Sequence, residues 1–131
     1  MGAFTSKEQA TSVFTTLFDI LLRDERFAAT VRDENLSVQF FHSAPDLTVF
    51  VSADGVWIDE TPSAPAISIK MSCDSADALW SGRLLMPIAL ATGKIRIKGS
   101  VAKVIEFVPL LQPAFDRYPA IAAEAGVGAR R

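Results

Sequence analysis

The chain of 131 residues has one histidine, His42, and one cysteine, Cys73. These two counts narrow its chemistry. Neither a zinc site with several Cys and His ligands nor an internal disulfide can be built within the chain. A Ser–His–Asp or Cys–His relay would have to use His42. Asp46 follows it closely, yet no nucleophile in a sharp turn and no set of oxyanion donors stands near it. His42 is therefore expected at the surface, at the end of a strand. Asp74 and Asp77 form the other candidate pair. A helix cap at Asp74 with a first-turn acid accounts for both, and Cys73 beside them reads as a small buried hydrophobe. No catalytic residue, metal or cofactor is expected.

What the chain does have is apolar surface. Half of it is hydrophobic and its formal charge is −2, which gives no net attraction for nucleic acid. No run approaches the roughly 18 apolar residues of a membrane span. The first ten residues lack a basic start followed by an apolar run, and a lone cysteine suits a reducing compartment. A single cytoplasmic domain over residues 1–131 is expected.

Residues 79–100, LWSGRLLMPIALATGKIRIKGS, organise the rest. Gly82 and Gly93 stand where helix ends want a left-handed residue, and Pro87 suits a first turn. Lys94, Arg96 and Lys98 then alternate with Ile95 and Ile97, and Gly99 and Ser100 end the strand and cap a following helix.

Ahead of this, residues 5–31 predict one long amphipathic helix. Thr5 and Glu8 stand at capping-box spacing, and Ala10, Val13, Phe14, Leu17, Phe18 and Leu21 recur at helical steps. From Leu36 the period becomes two. Leu36, Val38 and Phe40, then Leu47, Val49 and Val51, then Val56 and Ile58 predict an antiparallel meander. Asp54-Gly55 is its hairpin signal, and Ala44-Pro45-Asp46 is the turn before it. A proline-containing crossover, 61–65, leads to a fourth strand with Ile67, Ile69 and Met71. The last helix runs from Val101 past Val104, Phe107 and Val108 to Leu111, with Pro109 kinking it, and residues 120–131 are expected to fray.

Four of the five strands have one mostly polar face. Helices on both sides of a sheet would demand continuous apolar runs. The expected fold is α+β, two-layered, with a five-stranded, mainly antiparallel sheet and helices on one face. Phe41, Phe50 and Trp57 are expected as an apolar patch on the other face.

In this order of elements the chain resembles the sterol carrier protein 2 (SCP2) family. The most specific part is 78–99: a leucine-and-glycine segment at 79–82, a short helix at 87–92, Gly93, and an alternating basic strand closed by Gly99. The chain ends Ala129-Arg130-Arg131, without the targeting tripeptide of peroxisomal members. The resemblance implies a non-catalytic carrier with a tunnel between sheet and helices. Its partner would be a fatty acid, a sterol or an isoprenoid-like ligand. The residues proposed to line the tunnel are Phe18, Phe40, Val49, Val51, Ile67, Ile69, Met71, Leu84, Met86, Ile88, Ile97, Val104, Phe107, Val108 and Leu111. Ordinary core packing explains the same set without a ligand. The basic row Lys94, Arg96 and Lys98, with Lys70 beside it, solubilises an exposed sheet face or makes transient contact with a membrane surface. An alternative reading is an accessory domain docking on an enzyme of lipid or isoprenoid metabolism through Phe41, Phe50 and Trp57.

Overall fold

The computed structural model describes residues 3–127; Gly2, with Met1, and residues 128–131 lie outside them, so the expected tail is described only in part. Ser6, rather than Thr5, caps α1 (Lys7–Arg23), accepting from the Gln9 amide at 3.1 Å. Gln9 answers by accepting from the Thr5 amide at 2.7 Å, a close relative of the capping box. The long helix expected over 5–31 is two helices. Asp24 adopts extended backbone and caps α2 (Glu25–Asp33) by accepting from the Phe27 amide at 3.1 Å. The charged stretch Arg23-Asp24-Glu25-Arg26 is thus a helix junction. Its consequence is that Phe27 and Val31 turn in to the core.

The strands β1 (Ser37–Ser43), β2 (Leu47–Ser52), β3 (Gly55–Ile58), β4 (Ile67–Ser72) and β5 (Ile95–Lys98) form one sheet in the order β3-β2-β1-β4-β5. Three pairings are antiparallel, and β1 with β4 is parallel. Register aligns Val56, Val51, Val38 and Ile67 across the inner face, and Ile58, Val49, Phe40, Ile69 and Ile97 beside them. The β2–β3 hairpin turns at Ala53-Asp54, one residue earlier than Asp54-Gly55 suggested. Gly55 pairs with Ser52 and has φ +148°, a conformation side chains resist.

The expected outer patch of Phe41, Phe50 and Trp57 does not form. A chain leaving edge strand β3 must cross β2 and β1 to reach β4, and residues 59–66 lie along the outer face to do so. Thr61 donates to Gln39 Oε1 at 2.7 Å, and the Ala66 amide donates to Ser37 O at 3.1 Å. Phe50 and Gln39 are each 1% exposed, and Phe50 meets Trp57 edge-on at 5.7 Å. Phe41 alone of the three is well exposed, under the Lys70 ammonium at 5.9 Å.

The helices collect on the inner face. Ser72, not Asp74, caps α3 (Cys73–Trp80), accepting from the Ser75 amide at 3.0 Å, while Asp74 accepts from the Ala3 amide at 2.7 Å. Gly82 and Gly93 are left-handed, as their positions demanded, at φ +84° and +75°. Between them lies α4 (Met86–Ala91), with Pro87 in its first turn. Ser100 caps α5 (Val101–Phe107) through the Lys103 amide at 3.1 Å, and the chain tightens to a 3-10 turn at Val108–Leu111, around Pro109. The stretch beyond is not frayed before Ala125. It forms α6 (Gln112–Ala125), which packs on α1, and Gln9 Nε2 donates to Ala125 O at 2.8 Å. Pro113 falls in the first turn, where it removes no intrahelical bond.

α6 also answers a question about Asp77. Instead of an exposed first-turn acid, Asp77 is 3% exposed. It accepts from Tyr118 Oη on α6 at 2.8 Å and from Arg83 Nη2 at 2.5 Å. A buried carboxylate is tolerable only with such partners, and this one joins α3, the Gly82 turn and α6.

Candidate ligand cavity

An apolar cavity lies between the inner face of the sheet and the helices, with a volume of about 80 Å³. Its sheet side is Val38, Phe40, Val51, Ile67, Ile69 and Met71, drawn from β1, β2 and β4, with Leu36 just ahead of β1. These are the inward positions of the alternation, which is why the sheet offers carbon rather than hydroxyls and cations. Its helix side is Phe18 of α1, Phe27 and Val31 of α2, Leu79 and Trp80 of α3, Met86 of α4, Lys103, Val104 and Phe107 of α5, and Leu111. Aromatic contacts fix this wall: Phe18 meets Phe40 at 4.9 Å and Trp80 at 6.0 Å, and Phe27 meets Phe107 at 6.2 Å.

Ten of the expected tunnel residues are in this wall: Phe18, Phe40, Val51, Ile67, Ile69, Met71, Met86, Val104, Phe107 and Leu111. Five are not. Val49 is fully buried but fills core beside α1. Ile97 is half-buried on edge strand β5, opposite Ile69. Leu84 is half-buried in the link before α4. Ile88 is 53% exposed, because the buried side of α4 is Ala89. Val108 starts the 3-10 turn, where the change of pitch breaks the helical spacing that had grouped it with Val104. Sequence reasoning missed Phe27, Val31, Leu36, Val38, Leu79, Trp80 and Lys103, of which Leu36 and Val38 share the strand parity of Phe40. Phe27 and Val31 were hidden by the unread junction at Asp24. Lys103 was passed over because it is charged.

A water needs about 10–15 Å³ and two or more polar partners. The cavity has room for several waters, but its lining among the described residues is carbon almost throughout. Apolar occupants suit it better. Of the elements in this wall, α4 buries only Ala89 and the 3-10 turn buries no residue.

The candidate catalytic groups are not arranged for chemistry. His42, expected at the surface, is 6% exposed and stacks on Phe14 at 4.4 Å and Phe40 at 6.0 Å. Burial holds its pKa down at about 4, against an opposing backbone hydrogen bond at Leu47. Its Nδ1 has no hydrogen-bond partner among the described residues. Cys73 is buried as expected and donates to Pro45 O at 3.3 Å. Burial, with Asp74 and Asp46 nearby, pushes its thiol up to about 12, far from thiolate reactivity. No cluster of three or more His, Cys, Asp or Glu suited to a metal, and no helix long and apolar enough to cross a membrane, occurs among the described residues.

A one-faced mixed sheet with helices enclosing an apolar cavity defines an α+β cavity domain. The fold is that of sterol carrier protein 2. The apo protein from Yarrowia lipolytica superposes with a TM-score of 0.64 at 18% identity, covering 85% of this chain and 97% of that one. Sterol carrier protein 2 from Aedes aegypti, solved in complex with the C16 fatty acid palmitate, gives 0.59 at 16% identity over 80% and 96%. A UbiJ-SCP2 ubiquinone synthesis protein gives 0.56 at 17% identity over 80% and 94%. No known family's sequence pattern and no curated protein matches this chain.

Proposed function

We propose that the domain carries a single long-chain apolar ligand, of the fatty acyl or isoprenoid kind, without transforming it. The observation that carries this reading is the carbon-lined cavity between sheet and helices. Sequestration is the whole mechanism. Hydrocarbon leaves water at about 0.8 kcal/mol per methylene, so a chain of 14 to 16 carbons has roughly 11–13 kcal/mol of gross burial available. Ordering and association costs offset much of that, which puts affinity in the micromolar to nanomolar range. The present cavity takes part of such a chain, and α4 with the 3-10 turn moves outward to admit the rest.

Lys70, Arg96 and Lys98 project from the outer face and make no ion pair among the described residues. They suit transient contact with an anionic membrane during delivery. The accessory-domain alternative keeps Phe41 and a half-buried Trp57 of its three aromatics, since Phe50 is covered.

Native mass spectrometry of the purified protein tests the carrier reading. Lipid should co-purify with the wild type and be lost from Val104→Trp, whose larger side chain fills the cavity, at unchanged helix content. Lipid retained by Val104→Trp would place the ligand elsewhere. Failure to bind any lipid, added or co-purified, would end the reading.

A further inference from the structure

Among the described residues Lys103 is the one charged residue in the cavity wall, and it is held in a particular way. Its side chain is 35% exposed and its ammonium pairs with Glu34 Oε1, which is equally exposed. Glu34 is the C-cap of α2, directly after the helix that brings Phe27 and Val31 to the wall. Lys103 sits on α5 next to Val104, with Phe107 a turn further on. The ion pair therefore lies where α2 and α5 meet, outside the Phe27–Phe107 contact at 6.2 Å. Its half-exposed ends mark this as a place where the cavity reaches solvent. Val31 and Leu36, which share the cavity wall, also border a polar surface cleft lined by Arg32, Asn35 and Ser37.

Such an arrangement packs the Lys103 stem into the wall of a greasy slot and leaves its ammonium just beyond the lining, already engaged by a carboxylate of the protein's own. The geometry points to Lys103 as the residue that reads the ligand's head, favouring an ionised long-chain carboxylate over a neutral ligand of equal length. Glu34 is its internal stand-in when the cavity is empty. This assignment rests on the carrier reading and narrows it to a substrate class. The reason is one of charge replacement. A carboxylate whose chain fills the cavity takes the position of Glu34 Oε1, and the Lys103 stem keeps packing on the wall. An alcohol of the same chain offers no charge and leaves the pair intact. Because the pair is half exposed, the preference is modest and falls with salt.

The test is calorimetric titration with dodecanoic acid and 1-dodecanol at low salt, on the wild type, Lys103→Met and Glu34→Gln. Methionine keeps the apolar stem without the charge, and neither site is deeply buried, so both variants should fold. The expected result is an acid-over-alcohol preference of about two- to fivefold in the wild type, the span of an exposed ion pair. That preference should grow in Glu34→Gln, which removes the competitor. It should vanish or invert in Lys103→Met, where Glu34 is left to repel the incoming carboxylate, while alcohol affinity stays the same. An acid-to-alcohol ratio equal in all three proteins would overturn the head-reading role and leave the carrier reading standing. Absence of binding by both compounds to the wild type would overturn both.

Discussion

Acidification should unfold this protein through His42 before its carboxylates contribute much. The ring is neutral in the folded state, stacked between Phe14 and Phe40, with its pKa lowered from 6.5 to about 4 by burial. In the unfolded chain it titrates near 6.5. Above that pH both states are neutral and His42 costs nothing. As pH falls through 6.5, the unfolded chain gains a proton that the folded one refuses, so stability is lost until pH reaches about 4, where both are charged. The loss is about 2 kcal/mol by pH 5 and roughly 3 kcal/mol in full. At this chain length 2 kcal/mol lowers the melting temperature by about 5–10 °C. His42→Phe removes the titration, keeps a ring for both stacking partners and dispenses with the unpartnered Nδ1. Thermal melts of both proteins from pH 7.5 to 4.5 read the difference directly. The lowered pKa of Asp59, set mainly by Lys7, acts at lower pH and is common to both. Parallel pH profiles for wild type and His42→Phe would refute the argument.

Three further outcomes follow from the sheet and cavity. Ile95 is 1% exposed and Arg96 faces outward, so Ile95→Asp should cost about 3 kcal/mol or more while Arg96→Asp stays within about 0.5 kcal/mol, checked by urea melts. The double substitution Phe50→Ser/Trp57→Ser should destabilise by about 3 kcal/mol, because Phe50 is buried under the crossover, and leave sedimentation behaviour unchanged. Transfer of a fluorescent fatty acid to anionic vesicles should slow as salt rises from low ionic strength, where the outer cations are screened within about 10 Å at 0.1 M. Neutralising Lys70, Arg96 and Lys98 to Gln should remove that salt dependence.

Much of this fold is legible in short-range pattern. Strict alternation in 94–98 gives β5 and its two faces, and Gly82 and Gly93 mark helix ends because only their φ values continue the chain there without strain. What local pattern could not supply comes from contacts distant in sequence. Asp77 is buried because Tyr118, 41 residues on, reaches it, and Phe50 is buried because a parallel β1–β4 pairing forces the crossover over it. His42 is a different case. It shares parity with Val38 and Phe40, so the alternation itself placed it inward, and the usual habit of histidine was the wrong guide. The cavity was readable where it uses strand parity, at Ile67, Ile69 and Met71, and unreadable where it depends on the helix junction at Asp24 or on the 3-10 turn at Val108. Both of those change a helix's phase: Asp24 takes extended backbone, and the chain from Val108 tightens to 3-10 pitch.

The most direct measurement of the central claim is calorimetric titration of the lipid-free protein with saturated fatty acids from eight to sixteen carbons at several temperatures. Burial in a carbon-lined cavity predicts that affinity rises with length, by up to about fourfold per methylene, with a negative heat-capacity change that grows alongside it. Affinity that ignored chain length, with no heat-capacity change, would contradict the account.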